Sequence, residues 1–235
     1  MFYNEWKPIY NKIAKDFNYS LKKEKKSAEV LNKLLINNDL ASIEKLSNLI
    51  TDRHVIIFGA GPSIEESLKN QKQFFIDKTK IVADGVTTAL LKYNIQPDVI
   101  VTDLDGKISD QILSNKRGSL IIVHAHGDNM EKIVKYVPKF TRNIVGSIQI
   151  NPASYEKLFN FGGFTDGDRA VFIADNFNAK TITLFGFDFN SKIGKYSFIK
   201  NKDRSQKLKK LKWCKYLIEY LKKINHNIYF RYETK

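Results

Sequence analysis

Aspartates, histidines and glycines gather where short apolar runs end. In "PDVIVTDLDG" a β-branched run ends in Asp103 and Asp105, one residue apart and just ahead of Gly106. Two ionised carboxylates ~5 Å apart repel by about 3 kcal/mol at an effective dielectric of about 20. A shared proton, an arginine or a hard cation must offset that. Mg²⁺ takes one or two carboxylates together with phosphate oxygens, and so suits acids at a strand end beside a glycine turn. Asx-turn capping is the alternative for either aspartate alone.

The same arrangement recurs along the chain. Gly59 and Gly61 follow "HVIIF", Asp84 and Gly85 follow "KIVA", and Asp188 follows "TITLFGF". His124, His126 and Asp128 follow "SLIIV", and "GGFTDGDRA" adds Asp166 and Asp168 in a glycine-rich loop leading into a helix. "FGAGPSIEE" begins like a dinucleotide-binding turn, in which Gly59 and Gly61 let phosphate approach a helix N-terminus. Asp84 stands where a ribose-binding acid would. Ile64 occupies the place of the third glycine, so the turn reads as a phosphate approach or as a structural strand–helix turn. No GxxxxGK[ST] string occurs, which excludes a P-loop enzyme.

These residues need a scaffold that brings strand ends together. Up to about Asn48 the apolar spacing is helical, with Val30, Leu31, Leu34 and Leu35 on one face. Beyond Thr51 short apolar runs alternate with amphipathic segments. Strands are expected at "HVIIFGAG", "KIVADG", "PDVIVTDLDG", "GSLIIVHAHGD", "RNIVGSIQI", "TITLFGFDF" and "NIYFRYE". Helices are expected at "SIEESLKNQKQFF" (with Ser63 as N-cap), "VTTALLKYNI", "MEKIVKYV", "DGDRAVFIADNF" and "SQKLKKLKWCKYLIEYLKKI". The alternation predicts an α/β fold, a doubly wound, mostly parallel, Rossmann-like sheet covered on both faces. Residues 1–50 would form a helical extension and residues 51–235 the catalytic domain. In such a sheet ligands bind outside the carboxyl ends of the strands, where all of these residues fall.

Composition narrows the function classes. The chain has 235 residues, 43% of them hydrophobic, and a net charge of +14. Its lysines cluster in "LKKEKK" and "KLKKLKWCK", both read as solvated helix faces without a nucleic-acid signature. No leading segment resembles a signal peptide and no run approaches the roughly 18–20 apolar residues of a membrane span. Cys214 is the single cysteine, so no internal disulfide forms and a cytoplasmic setting is expected. Small-molecule substrates, without nucleic acid or membrane, are the expected partners. No face reads as a subunit interface.

"HAHGDN" resembles the opening of the H-x-H-x-D-H motif of metallo-β-lactamase-like hydrolases, but Asn129 stands in place of the last histidine. Only His54 and His226 remain elsewhere, too few for a binuclear zinc site. His126 and Asp128 are instead expected to line the strand-end cleft.

"VADGVTTALLKYNIQPDVIVTDLDG" resembles the thiamine pyrophosphokinases. It is more similar still to the archaeal 6-hydroxymethyl-7,8-dihydropterin pyrophosphokinase family, related to a domain of bacterial flagellin-modification proteins. The likeness extends through "EWKPIYNKIAKDFNYS", "FGAGPSIEE", "HAHGDN", "NFGGFTDGDRA", "FGFDF", "IGKYS" and "KKLKW". It implies transfer of the β,γ-diphosphate of ATP to the hydroxymethyl group of a reduced pterin, with AMP leaving, Mg²⁺ required, and a product used in methanopterin- or folate-type cofactor synthesis. By position, Asp103 and Asp105 would bind the metal, with Asp84 and Gly85 beside them. Gly59, Gly61 and Ser63 would meet nucleotide phosphate, with Arg169 and Lys195 as candidates for neutralising its charge. His126, Asp166 and Asp188 would serve the pterin, with Asp166 and Asp188 equally eligible for its amino-pyrimidinone edge. The base that takes the alcohol proton would be Asp103, Asp105 or Asp168.

Such chemistry asks mainly for positioning and charge neutralisation, which acids and a few cations can supply. Thiamine pyrophosphokinase is the alternative within the same chemistry, but that family carries a C-terminal β-sandwich where this chain has one long helix and a strand. A nucleotide-sugar-binding transferase domain is the alternative from another class.

Overall fold

The computed structural model describes residues 3–38, 43–141, 143–189, 193–197 and 204–231. Three helices come first: α1 (Tyr3–Phe17), α2 (Leu21–Asn38) and α3 (Ile43–Ile50). Helix α1 buries Trp6, Tyr10 and Ile13, a spacing that keeps all three on one face. They share one apolar cluster with Leu31 and Leu35 of α2 and with the strands that follow. The helical extension is therefore packed into the core of the sheet domain.

The strands are β1 (His54–Phe58), β2 (Thr79–Ala83), β3 (Val99–Thr102), β4 (Leu120–His124), β5 (Ile144–Ser147), β6 (Leu158–Phe159), β7 (Thr181–Phe185) and β8 (Ile228–Phe230). They form one sheet in the order β6-β5-β4-β3-β2-β1-β7-β8, and every pairing is parallel. Strands β3 and β4 are buried throughout, which is why they read as unbroken β-branched runs. The connecting helices are α4 (Ile64–Asn70), α5 (Lys72–Phe75), α6 (Val86–Lys92), α7 (Ile108–Lys116), α8 (Met130–Tyr136), α9 (Asp166–Asn176) and α10 (Arg204–Ile224). Helix α9 lies against β1, β2 and β3 and also meets α10, while α2 packs on α8 and β5. The winding reverses between β1 and β7, and a crevice opens there at the carboxyl ends. Among the described residues no helix is long and apolar enough to cross a membrane.

The doubly wound sheet matches expectation, with three differences. The single helix expected from Ser63 is two, α4 and α5, broken at Gln71. Helix α7 and the two-residue strand β6 were not anticipated. Helix α7 has little apolar periodicity because much of the face it buries is polar, with Gln111, Ser114 and Asn115 fully buried.

Candidate active site

A cleft of about 210 Å³ lies along the carboxyl ends of β1–β5 and β7. It is closed by the start of α9, by α10, and by Tyr19 from the α1–α2 turn. Three carboxylates meet there. Asp84 follows β2, Asp103 follows β3 and Asp166 opens α9, each with an oxygen within 4.8 Å of the others. Oxygen donors this close are what a hard divalent cation requires.

Asp84 is held firmly. Its Oδ1 accepts from Thr102 Oγ1 (2.6 Å) and Gln111 Nε2 (2.5 Å), and its backbone sits at φ +26°, a strained angle for a residue with a side chain. A Cβ on Gly106 would fall 2.9 Å from Asp84 Oδ2, so only glycine lets the loop pass this close. Burial, and then the nearby charge of Asp103, push the Asp84 carboxyl up to about 7. Burial followed by Asp103 and Asp84 likewise holds Asp166 well above the usual carboxylate range. Acids in this state favour losing protons to a cation.

Leu104 answers what separates Asp103 from Asp105. It is buried and left-handed, at φ +67°, with its N–H donated to Thr102 Oγ1 at 2.8 Å. Across it Asp103 Oδ1 accepts the Asp105 N–H at 3.2 Å, an Asx turn. Asp103 joins Asp84 and Asp166, 3.6 Å from His126 Nε2, whereas Asp105 is ion-paired with Lys132 of α8. Asp103 thus belongs to a trio drawn from three elements, and Asp105 lines the same cleft beside it.

Asp168 is fully buried, and its Oδ1 accepts from the N–H groups of Phe164 (3.1 Å) and Thr165 (2.6 Å) and from Thr165 Oγ1 (3.0 Å). That is the capping box of α9, so this carboxylate is engaged by the helix it opens. Arg169 is also buried, and donates from Nη1 to Gly163 O and from Nη2 to Phe164 O, both at 3.0 Å. It braces the loop that presents Asp166, and its charge counters the acids from the cleft wall.

In the turn after β1, Gly59 N–H donates to Phe185 O and Gly61 N–H to Gly186 O, each at 2.8 Å. Ser63 gives both its N–H (3.0 Å) and its hydroxyl (2.8 Å) to Asp188 Oδ2. These donors bond to the β7 loop, so the turn clasps the β1–β7 crevice while Gly59 and Gly61 line the cleft. Asp188 thus joins this clasp and also lines the cleft, and Ser63 does not cap α4 with its side chain. Gly85 lines the cleft at the start of α6. Lys195 turns outward to Glu65 (3.1 Å), which also accepts from Tyr196 and Lys92. Among the described residues, the lysines that line the cleft are Lys207 and Lys210 of α10. They lie three residues apart on one helical face, in the cluster read from sequence as solvated surface.

His126 lines the cleft as expected. Asn129, the residue that breaks the histidine motif, is a buried clip. Its Nδ2 donates to Asp103 O (3.0 Å) and His124 O (2.7 Å), and its Oδ1 accepts from His126 N–H (3.0 Å). It ties the β3 and β4 ends together. Gln111 and Gln149 were missed because nothing in their local sequence distinguishes them, while Tyr19 and the two α10 lysines sit in strings whose role in the cleft only the fold reveals.

Comparison with known proteins places this arrangement. A family model described as 6-hydroxymethylpterin diphosphokinase, MptE-like, matches residues 28–194. The chain belongs to this family. It is 46% identical over 226 residues to the 6-hydroxymethyl-7,8-dihydropterin pyrophosphokinase of Pyrococcus furiosus, across 94% of this chain and 95% of that one. The protein of the same name from Methanocaldococcus jannaschii is 46% identical over 229 residues, covering 93% and 95%. That from Methanothermobacter thermautotrophicus is 41% identical over 192 residues, covering 82% and 81%. Among solved structures, a MAf glycosyltransferase from Magnetospirillum magneticum AMB-1 aligns with TM-score 0.51 at 17% identity, over 77% of this chain and 29% of that one. That likeness concerns the fold alone. The MptE-like family's chain thus carries its acid trio at the carboxyl edge of a parallel sheet, next to the point where the winding reverses.

Proposed function

We propose that this chain is a 6-hydroxymethyl-7,8-dihydropterin pyrophosphokinase, transferring the β,γ-diphosphate of ATP to the hydroxymethyl oxygen and releasing AMP. Its substrates are small molecules, with ATP as co-substrate, and its product enters methanopterin- or folate-type cofactor synthesis. Membership of the MptE-like family, with pyrophosphokinases 46% identical along almost the whole chain, carries the reading.

The Asp84–Asp103–Asp166 trio fits Mg²⁺ by donor chemistry, since three carboxylate oxygens converge there. Bound there, the ion would neutralise phosphate oxygens and the charge that develops between donor and acceptor. The protein's own residues do the rest. Thr102 and Gln111 orient Asp84, and the Asp168–Thr165 cap and Arg169 fix Asp166. The Ser63–Asp188 clasp shapes the nucleotide end of the cleft. Lys207 and Lys210 supply the positive charge that the polyphosphate needs from α10. The proton leaving the hydroxymethyl oxygen passes late to Asp103 or Asp105, the strand-end carboxylates on the cleft wall.

The test is to incubate the protein with ATP, Mg²⁺ and 6-hydroxymethyl-7,8-dihydropterin and to separate the nucleotides. AMP formed with the pterin, and not with thiamine, is the expected result. ADP in its place would replace diphosphoryl by phosphoryl transfer. No turnover would refute the proposal.

A further inference from the structure

Beyond the acid trio, at the β4–β5 end of the cleft, two polar side chains stand almost completely buried yet incompletely used. His124 and Gln149 are each 2% exposed and both line the cleft. His124 Nδ1 pairs with Ser147 Oγ at 3.0 Å. Its Nε2 and Oε1 of Gln149 complete no hydrogen bond to any other described group, and the two side chains face each other across the cleft wall. Leaving such atoms buried and unpaired is unfavourable, and a ligand's polar edge would complete them.

The orientation of Gln149 is set from outside the cleft. Its Nε2 donates to Glu24 Oε2 at 3.0 Å, and Glu24 Oε1 accepts Gly127 N–H at 3.1 Å. A carboxylate accepts only, so Glu24 holds the amide with its NH₂ inward and its oxygen turned to the cleft. Trp6 Nε1 anchors the same residue through its backbone carbonyl at 3.0 Å. Tyr19 and Phe164 form an aromatic wall beside it, with ring centroids 6.2 Å apart. Trp6, Tyr19 and Glu24 all precede residue 28, where the family match begins.

Strand order then lays out the cleft. From β5 to β1 the carboxyl edge presents Gln149 and His124, then His126 and Asp103, then Asp84, then the β1–β7 clasp. Neighbouring strands lie about 4.8 Å apart, so these groups are spread in a line rather than clustered at one point. The acids occupy the middle.

We propose that the amino-pyrimidinone edge of the pterin binds Gln149 Oε1 and His124 Nε2, with its ring against Tyr19 and Phe164, and that Glu24 positions Gln149. This rests on the pyrophosphokinase reading for the ligand's identity and assigns its place. An N–H of the pterin donates to Gln149, and His124 takes the adjoining ring position as donor or acceptor. The hydroxymethyl arm points along the strand ends to the acid trio, and the polyphosphate arrives from the α10 side. The N-terminal helices thereby build the acceptor pocket.

The test measures binding of fluorescent 6-hydroxymethylpterin to the full chain, and separately binding of a non-hydrolysable ATP analogue with Mg²⁺. Gln149→Ala is expected to raise the pterin Kd about tenfold or more. Glu24→Gln, which frees the amide to rotate, should raise it several-fold, and both should leave the nucleotide Kd within about twofold. Thermal melts check folding. If Gln149→Ala does not fold, Tyr19→Ala, at the cleft rim, must weaken pterin binding several-fold. Unchanged pterin affinity, equal loss of nucleotide affinity, or no pterin binding by the wild type would overturn the pocket. AMP release by the wild type is scored independently. Pterin binding that depends on Gln149 without AMP release would remove the reaction and keep the pocket.

Discussion

Asp188 Oδ2 accepts both the N–H and the hydroxyl of Ser63, at 3.0 and 2.8 Å, and so joins the loops after β7 and β1. Bonds to a charged acceptor contribute about 1.5–3 kcal/mol each. Asp188→Ala should therefore lower Tm by roughly 6 °C or more for a chain of this size. It should also raise KM for ATP more than KM for the pterin. Calorimetry with steady-state kinetics checks both, and a pterin-selective defect would contradict the assignment of this end of the cleft to nucleotide.

Asp103→Asn removes the central acid of the trio. It should lower kcat by a factor on the order of a hundred or more while the fold survives. Asp166→Asn should behave alike. Asp105→Asn should cost less, on the order of tenfold, because Asp105 faces Lys132 rather than the trio. Equal losses at Asp103 and Asp105 would restore the adjacent pair as the metal site.

Lys207→Ala and Lys210→Ala should each raise KM for ATP about tenfold, the effect of losing one charge contact worth roughly 1.4 kcal/mol. Lys195→Ala should change it less than about twofold, since that lysine is an exposed partner of Glu65. Initial rates against ATP concentration decide the matter. A large effect at Lys195 alone would move the polyphosphate to the other side of the clasp.

The raised carboxyl of Asp84, at about 7, predicts a pH dependence. Folding raises this pKa above its unfolded value near ~3.9. Its contribution to stability is complete below that value and is lost as pH rises through ~7. In EDTA the wild-type Tm should thus fall between about pH 5 and 8 relative to that of Asp84→Asn. With Mg²⁺ the trend should reverse, because the cation replaces the protons. Parallel melting curves of the two proteins across that range, with or without Mg²⁺, would count against the trio as the metal site.

Local rules carried the architecture. The unbroken runs of β3 and β4 reveal strands buried on both faces, and Asp103 at the end of one of them is recognisable as a site residue. Position at a strand end is written in the chain, because a parallel sheet sends every such end to one edge.

Which acids act together was decided only in three dimensions. Asp166 and Asp168 are two residues apart, yet on a helix that separation turns them roughly 200° from each other. One faces the cleft and the other caps α9. Asp103 and Asp105 would share a face if the strand continued, but it ends at Thr102 and Leu104 at φ +67° turns the chain, with Asp105 N–H bonded to Asp103 Oδ1. Gln111 and Gln149 look like ordinary surface residues until folding buries them beside Asp84 and Glu24. The sequence by itself determined the kinds of group at the sheet's edge. The tertiary structure chose among them, because hydrogen bonds and charge act over a few ångströms of space, and chain separation carries no record of that distance.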